Sequence, residues 1–378
     1  MSGGVDSSVT AALLMEAGFE VCGVTCVFVD DEYAQAAVAD ARSVAAKLGV
    51  EHVVRDCTQT FSQAVVSSFV DSYAQGLTPS PCVVCNRDCK IPSLIEAADE
   101  MGCRYVATGH YARVVRHRGR FAAACAAYAA KDQSYMLAML SQEQLARLIM
   151  PLGSLAGGKP EVRSLAAQRG LSVASKSESQ DICFIHGSHL DFLSRHGVIG
   201  AAGNIVTEDG RVVGRHGGLF RYTIGQRKGL DIGGAPEPYY VIEKRPEENE
   251  LVVAFARDAR IGGARVSQVS WQGIAPADFV QACAERGPLA CAAKVRYRQQ
   301  AAACRVFPAD MQGDVGLSFI NSRGRQFDVA AFEGRIDSVD LAFDTPQSTT
   351  APGQYAVLYD GDAVLCGGVI EGLIRDGR

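Results

Sequence analysis

The sequence predicts an α/β protein of three domains: a parallel-sheet domain over residues 1–195, a small central domain over 196–262 and a C-terminal β-barrel over 263–378. A glycine-rich loop runs into a helical pattern at the N-terminus, and strands and helices then alternate to about residue 108. After residue 197, short apolar alternations replace the helical patterns. The 378 residues exceed one ordinary core, and 48% hydrophobic residues is typical of a globular protein.

The loop Ser2–Ser8, with the sequence SGGVDSS, is typical of an anion-binding turn at the start of a helix. Glycine permits close approach of backbone N–H groups, and a helix N-terminus carries partial positive charge. No lysine follows at the spacing of a GxxxxGK[ST] loop. The pattern therefore predicts a loop that holds pyrophosphate, against the alternative of a glycine-rich turn that caps a helix without a ligand.

Strand and helix patterns alternate after this loop. The apolar run Glu20–Val29 predicts a buried strand, and the helical pattern after it ends at Gly49, which predicts a glycine cap. Further elements expected in this part are a strand at Glu51–Arg55, a helix from Phe61 to Tyr73, a helix at Ile91–Met101 and a strand at Arg104–Thr108. This alternation predicts a parallel sheet with right-handed crossovers.

The second half of the chain has the pattern of a β protein. Gly203–Val206 and Asp209–Gly214 predict a hairpin, and short strands such as Tyr355–Gly367 recur about every ten residues from residue 264. This spacing predicts a small barrel or sandwich.

Charge and hydropathy narrow the function classes. The sequence contains no run of 18 apolar residues, so it predicts no membrane span. The glycine-rich loop lies at the N-terminus and leaves no room for a targeting peptide, so a cytoplasmic protein is expected. The net charge of −5 argues against indiscriminate nucleic-acid binding. Three segments nevertheless carry cations and no acids, which predicts a phosphate-binding surface: Arg113–Arg120, Arg211–Lys228 and Lys294–Arg305.

Among the thirteen cysteines, one C-x-x-C pair and one single cysteine are candidates for chemistry. Cys82 and Cys85 stand at C-x-x-C spacing in a loop stiffened by two prolines, and three interpretations stay open: metal ligands, structural thiols, or a nucleophile beside a nucleotide site. Cys183 alone is typical of a small buried hydrophobe. Beside a second thiol it gains another interpretation, because sulfur transfer needs one cysteine to carry a persulfide and a partner to release it.

The strings SGGVDSS, PCVVCN, ATGHYAR, KDQSYML, SQDICFI, YTIGQRKGL, KVRYRQ and PGQ, in this order, resemble those of the bacterial tRNA-specific 2-thiouridylase family of the ATP-pyrophosphatase superfamily. The resemblance implies an adenine nucleotide alpha hydrolase-like N-terminal domain and a tRNA-uridine 2-sulfurtransferase that replaces O2 of the wobble uridine with sulfur. It implies ATP and Mg²⁺ as cofactors, with tRNA and a sulfur donor, such as a cysteine desulfurase or a sulfur-relay protein, as partners.

The resemblance also implies site residues. Cys85 matches the family's nucleophile and Cys183 its persulfide carrier, and the two would close a disulfide during turnover. Nucleotide contacts are implied for Met1, Ser2, Gly3, Gly4, Val5, Asp6, Ser7, Cys26 and Gly109. Contacts with tRNA are implied for Ser80, Pro81, Cys82, His110, Asp132, Gln133, Ser134, Arg296, Tyr297 and Gln354.

Two departures from the family stand out. Ser80-Pro81-Cys82 replaces the Asn-Pro-Asp of many relatives, which places a thiol where they have a carboxylate. The family's loop also follows a buried hydrophobic strand, which is absent ahead of Met1, so a gap is expected in the sheet.

Three other functions remain as alternatives. The first is an ATP-pyrophosphatase ligase resembling GMP synthetase, which would act on a small substrate and need neither paired cysteines nor an RNA surface. The second is a catalytically impaired tRNA-binding protein. The third is a zinc-stabilised RNA-binding protein built on Cys82, Cys85 and Cys89.

Overall fold

The computed structural model describes residues 1–176, 182–310, 319–320, 326–327 and 336–375. Within these ranges most helices precede the central domain, and only one lies in the C-terminal part. They are α1 (Val5–Glu16), α2 (Glu32–Leu48), α3 (Thr58–Phe61), α4 (Ser67–Ala74), α5 (Pro81–Cys85), α6 (Ile91–Glu100), α7 (Gln142–Arg147), α8 (Gly158–Gln168), α9 (His189–Arg195) and α10 (Pro276–Arg286).

The strands of the described residues form parallel pairs early in the chain and mostly antiparallel sheets later. They are β1 (Gly23–Val27), β2 (His52–Asp56), β3 (Val106–Ala107), β4 (Ala112–His117), β5 (Arg120–Cys125), β6 (Leu148–Ile149), β7 (Gly203–Thr207), β8 (Val212–His216), β9 (Tyr240–Arg245), β10 (Glu250–Ala254), β11 (Arg260–Trp271), β12 (Leu289–Lys294), β13 (Ala302–Asp310), β14 (Phe319–Ile320), β15 (Gln326–Phe327), β16 (Ser338–Ser348), β17 (Tyr355–Asp360) and β18 (Ala363–Ile374).

The predicted parallel α/β arrangement is confirmed in the N-terminal part. Strand β1 pairs in parallel with β2, and β3 pairs in parallel with β6. Helix α2, which connects β1 to β2, is capped by the side chain of Asp31 and ends at Gly49 in the left-handed conformation, with φ of +70°. The gap that was expected in the sheet is present, because no strand in the described residues joins the β1–β2 pair to the β3–β6 pair.

Three local predictions need correction. The helix expected from Phe61 to Tyr73 is interrupted by a π-helical turn at Ser62–Val66. The proline-rich loop contains the short helix α5, with Pro81 in its first turn, and a second π turn follows at Asn86–Lys90. The strand expected at Arg104–Thr108 is reduced to the two residues of β3.

The predicted C-terminal barrel is confirmed. Strands β11, β16, β13, β12, β17 and β18 are hydrogen-bonded in that order, and an additional β11–β18 pairing closes the ring. Beyond β18 the sheet continues with β5 and β4, which belong to the N-terminal part of the chain; Ala363 of β18 lies opposite Ala124 of β5. Helix α10 packs Phe279, Val280 and Cys283 into the barrel core, and the sequence patterns gave no expectation of a helix there.

The central part is a four-stranded sheet in the order β8-β7-β10-β9, and the hairpin predicted there is the antiparallel β7–β8 pair. Across the stretches of chain that the structure describes, no helix combines the length and the apolar character that crossing a membrane requires.

Candidate nucleotide and thiol site

The glycine-rich loop has the geometry of an anion cradle. Gly3 has a φ of +64°, and a Cβ at this position would overlap the carbonyl oxygen of Ala37 in α2. Gly4 is the extended N-cap residue of α1, whose first turn also holds Asp6. The hydroxyls of Ser7 and Ser8 donate to the Gly4 carbonyl, at 3.2 and 2.9 Å. The loop is therefore held by its own side chains at the positive end of α1.

Two groups from distant parts of the chain fix Asp6. Lys159, at the start of α8, lies 2.6 Å from one carboxylate oxygen, and the hydroxyl of Tyr111 donates to the other at 2.9 Å. A second lysine, Lys176, donates to the Gly3 carbonyl at 3.1 Å. The loop thus lacks an adjacent lysine but has two lysines beside it, more than 150 residues along the chain.

Gly109 lies directly against the first turn of α1. A Cβ at this position would lie 2.9 Å from the backbone of both Asp6 and Ser7, so glycine is required. The next residue, His110, bonds through Nδ1 to the Thr108 hydroxyl at 2.9 Å, and burial lowers the pKa of its ring to about 3. The ring is therefore neutral at physiological pH.

The carboxyl ends of β1 and β2 bring two thiols together. Cys26 lies near the end of β1, and Cys57 directly follows β2 with its N–H donating to the Val27 carbonyl at 2.8 Å. The hydrogen bond between the two thiols lowers the pKa of Cys57 and raises that of Cys26. Sequence reasoning placed Cys26 beside the nucleotide but gave no reason to pair it with Cys57.

The two cysteines with predicted sulfur chemistry belong to one region. Cys85 ends α5 with only 6% of its surface exposed, whereas Cys183 is exposed. Phe184, next to Cys183, belongs to the same apolar cluster as Cys85, and its ring lies 5.4 Å from that of Phe69. All thirteen cysteines lie in the described residues, and all are free thiols. Residues 177–181, which open the SQDICFI string, lie outside the described residues.

Burial and the nearby Lys90 shift the pKa of these two thiols in opposite directions. Burial raises the pKa of Cys85, and partial desolvation together with the Cys85 charge raises the pKa of Cys183 to about 11. Lys90 opposes both shifts and lowers each pKa. Sequence reasoning did not assign Lys90 to the site. Its position five residues after Cys85 was a usable signal, because a π turn brings residues at this spacing onto one face of the helix.

Asn86 is a second residue that sequence reasoning missed. It follows Cys85 and is 2% exposed. Its side-chain nitrogen donates to the Met136 carbonyl at 3.2 Å, while its buried side-chain oxygen has no hydrogen-bond partner. A buried acceptor without a partner is costly and is typical of a site that binds a donor from a ligand.

The loop ahead of Cys82 rests on the C-terminal barrel. Gln354 donates its side-chain amide to the Thr78 carbonyl at 2.8 Å, and the Thr78 N–H donates to the Pro352 carbonyl at 3.0 Å. Ser80 is the N-cap residue of α5, Pro81 begins the helix, and Cys82 is exposed. The loop that carries the candidate nucleophile is therefore positioned by residues from the far end of the chain.

The segment 132–134 is held inside the protein. Asp132 is 8% exposed and accepts from Lys294 at 2.9 Å and from the Ser134 hydroxyl at 2.9 Å. Gln133 accepts from the Tyr111 N–H at 2.8 Å through its side-chain oxygen. These bonds join the nucleotide-binding part to strand β12.

Two predicted tRNA contacts follow β12. The guanidinium of Arg296 donates to the Ile224 carbonyl at 3.2 Å and also to the Thr349 carbonyl, and burial lowers its pKa. The ring of Tyr297 is partly buried and lies 5.9 Å from that of Tyr135. Burial raises the pKa of the Tyr297 hydroxyl, and the charge of Asp132 raises it further.

The zinc alternative gains no support. Among the described residues, no group of three or more His, Cys, Asp or Glu side chains is arranged to hold a metal ion, and Cys89 is completely buried.

The fold and the site define a nucleotide-binding α/β protein with two further β domains. Three family profiles match the chain in turn: the tRNA methyl transferase HUP domain at residues 1–187, the tRNA methyl transferase PRC-barrel domain at 190–255, and the aminomethyltransferase β-barrel domain at 319–370.

Relatives that match nearly the whole chain identify the family. The tRNA-specific 2-thiouridylase MnmA of Symbiobacterium thermophilum is 39% identical over 99% of this chain and 92% of its own length. The protein of the same name from Trichlorobacter lovleyi is 40% identical over 98% of this chain and 96% of its own. The one from Rhizorhabdus wittichii is 40% identical over 99% and 91%. The chain therefore belongs to the tRNA-specific 2-thiouridylase family.

Proposed function

We propose that this protein catalyses the ATP-dependent 2-thiolation of the wobble uridine of tRNA in the cytoplasm. One observation carries the proposal: Cys85 and the residues that flank Cys183 pack into one apolar cluster. Cys26 packs against the same cluster, and its neighbour Thr25 donates to the Met1 carbonyl at the start of the glycine-rich loop. The names of the relatives, which specify tRNA and 2-thiouridine formation, support the substrate.

The first step activates the uridine. The loop Met1–Ser7 holds the phosphates of ATP, with Lys159 and Lys176 beside it. Cys26 and Gly109 lie next to the nucleotide. Oxygen O2 of the uridine attacks the α-phosphate, diphosphate leaves, and the oxygen becomes part of an AMP leaving group. Mg²⁺ would neutralise the departing diphosphate.

The second step transfers sulfur. The terminal sulfur of a Cys183 persulfide, loaded by a sulfur donor, attacks C2 of the activated uridine, and AMP leaves with the electron pair of the C–O bond. The Cys85 thiolate then attacks Sγ of Cys183, so the S–S bond to the transferred sulfur breaks and 2-thiouridine is released. The resulting Cys85–Cys183 disulfide is reduced by a thiol to restore both cysteines.

The tRNA surface combines cations with stacking groups. Ser80, Pro81 and Cys82 face the target base, and His110 contacts the tRNA. Arg296, Tyr297 and Gln354 contact the tRNA from the barrel side. Asp132 and Ser134 are buried, so they support this surface from inside, and Gln133 bonds to the Tyr111 N–H beside them. Of the three basic segments, Arg211–Lys228 carries exposed cations, among them Arg215, Arg227 and Lys228, which neutralise phosphates. Affinity for tRNA therefore falls as salt rises. A salt titration that leaves the affinity constant would contradict this surface.

The experiment is thiolation of unmodified tRNA by Cys85→Ser and Cys183→Ser variants. Mass analysis of the nucleosides is expected to find no 2-thiouridine with either variant, while ATP binding persists. Cys283→Ser, in the barrel core, is the matched control and is expected to thiolate normally. Normal thiolation by either active-site variant overturns the role assigned to that cysteine.

Product analysis separates the alternatives. A ligase resembling GMP synthetase would incorporate nitrogen into a small substrate, and a tRNA-binding protein without catalysis would release no AMP. AMP release that depends on tRNA, with sulfur in the product, is the result expected here.

A further inference from the structure

Cys183 lies on a tight turn that is anchored to the protein core on one side. The Ile185 N–H donates to the Ile182 carbonyl at 3.0 Å, which closes the turn around Cys183 and Phe184. Phe184 is 7% exposed and packs into the apolar cluster that contains Cys85, whereas Cys183 is exposed. Packing of Phe184 therefore holds the turn from inside.

His186, the residue that follows this turn, makes two contacts with the start of α2. Its Nε2 atom donates to a carboxylate oxygen of Asp31 at 2.8 Å. Its ring also stacks on that of Tyr33, with the ring centroids 4.6 Å apart and an angle of 23° between the planes. The hydrogen bond fixes the edge of the imidazole and the stack fixes its face, so the two contacts together hold the ring in one position.

Asp31 offers this contact from a fixed position. It is the N-cap residue of α2, and its other carboxylate oxygen accepts from the Ala34 N–H at 2.7 Å. Burial alone would raise the pKa of Asp31, but the bonds from Ala34 and His186 lower it below its usual value. The carboxylate is therefore charged at neutral pH and is bound on both of its oxygens.

The contacts of His186 join two segments that take part in the proposed reaction. Asp31 comes four residues after the end of β1, and Cys26 near that end packs against the same apolar cluster as Cys85. The turn at the other side of the contact carries Cys183. His186 therefore connects the segment of the proposed persulfide carrier to the segment that follows the proposed nucleotide-contacting strand.

We propose that His186 is a positioning residue for sulfur transfer, which holds the Cys183 turn against the start of α2 through Asp31 and Tyr33. The inference rests on the proposed function, because it assigns His186 a task only if Cys183 carries the sulfur. His186 acts through Cys183 and touches no substrate. Attack on a carbon atom requires a narrow range of distance and angle, and a displacement of about 1 Å lowers the rate by orders of magnitude.

The exposure of these side chains decides which quantity the contact affects. Tyr33 is 71% exposed and His186 is also exposed, and exposed ion pairs contribute little to the free energy of unfolding. Loss of the contact is therefore expected to change the position of the turn and the rate of sulfur transfer, and to leave the unfolding temperature nearly unchanged.

The first experiment measures thiolation of unmodified tRNA by the full chain with His186→Ala. The kcat for 2-thiouridine formation is expected to fall roughly tenfold, while the KM for tRNA and the affinity for ATP stay at the wild-type values. His189→Ala is the matched control. His189 is exposed three residues further along and lies 6.2 Å from the ring of Tyr73, but it forms no ion pair among the described residues.

A second variant separates the contact from the helix cap. Asp31→Asn keeps an acceptor for the Ala34 N–H and removes the negative charge that faces His186. It is expected to lower kcat in the same direction as His186→Ala. The double variant is expected to be no slower than His186→Ala alone, because both substitutions remove the same contact.

Hydrogen–deuterium exchange of the segment 182–186 provides a measurement that does not depend on catalysis. The Ile185 N–H, which closes the turn, is expected to exchange several-fold faster in His186→Ala than in the wild type or in His189→Ala. If the wild type forms no 2-thiouridine, the proposed function fails, and the task of His186 fails with it even where exchange is faster.

Four other outcomes would overturn the inference while the proposed function stands. They are a wild-type kcat in His186→Ala, an equal fall in His189→Ala, a change confined to the KM for tRNA, and equal exchange of the turn in all variants. Additive effects of Asp31→Asn and His186→Ala would also overturn it, since the two side chains would then act separately.

Discussion

Gln354, in the barrel, donates its side-chain amide to the carbonyl of Thr78, 2.8 Å away, in the loop that leads to Cys82 and Cys85. The same amide lies 3.4 Å from the Pro79 carbonyl. A residue 276 positions further along the chain therefore holds the loop that leads to the candidate nucleophile.

Replacing Gln354 tests this support. Gln354→Leu removes the donor and leaves the Thr78 carbonyl without its partner, which costs about 1 kcal/mol of stability. We expect a small fall in unfolding temperature and a larger fall in the thiolation rate, because the loop loses its fixed position. Gln281→Leu, an exposed substitution in α10, is the control. A rate unchanged from wild type would contradict the support role.

Lys90 is expected to set thiol reactivity. Lys90→Met removes the charge that lowers the pKa of both Cys85 and Cys183, so the thiolate fraction falls. The alkylation rate of Cys183 at pH 8, followed by peptide mapping, is expected to drop roughly threefold to tenfold, since one pKa unit is tenfold in thiolate. Arg286→Met, at the exposed end of α10, serves as control. Equal rates in the two variants would remove Lys90 from the site.

Gly109 is expected to tolerate no side chain. Gly109→Ala places a Cβ 2.9 Å from the backbone of Asp6 and Ser7, so the first turn of α1 must shift and the cradle distorts. We expect ATP affinity to fall about tenfold or more, measured by calorimetry. Gly233→Ala, where a Cβ meets nothing within 4 Å, should bind ATP normally. The prediction fails if both alanine variants bind alike.

His110 predicts a pH dependence of stability. Its pKa is about 3 in the folded protein and near 6.5 when unfolded, so the unfolded state binds the extra proton between these values. The contribution of His110 is complete above pH 6.5 and is lost as the pH falls toward 3. Denaturant unfolding of His110→Gln should therefore show a shallower loss of stability from pH 6.5 to 4 than wild type. Parallel curves would show that the ring titrates normally.

The sequence was informative where the signal was local. The SGGVDSS loop, the Gly49 cap and the β7–β8 hairpin each depend on a few neighbouring residues, and the structure has all three. Helix α10 was missed within a region of strand patterns, although Pro276 at its start was a usable signal.

The contacts that the sequence did not predict join residues far apart in the chain. No local pattern joins Asp6 to Lys159, Cys26 to Cys57 or Thr78 to Gln354, because these contacts form only when separate segments of the chain pack together. Two expectations stay predictions. One is the pair of roles assigned to Cys85 and Cys183, and the other is the division of the chain into domains after residues 195 and 262.

The pairing of β18 with β5 has a consequence for any attempt to shorten the protein. A chain ended at residue 262 would keep the hairpin β4–β5 but lose the strand that covers its edge. The bare edge would offer unpaired N–H and C=O groups to other chains, which favours aggregation. Such a fragment would also lack Gln354, so the loop ahead of Cys82 and Cys85 would lose the hydrogen bond that the barrel gives to the Thr78 carbonyl.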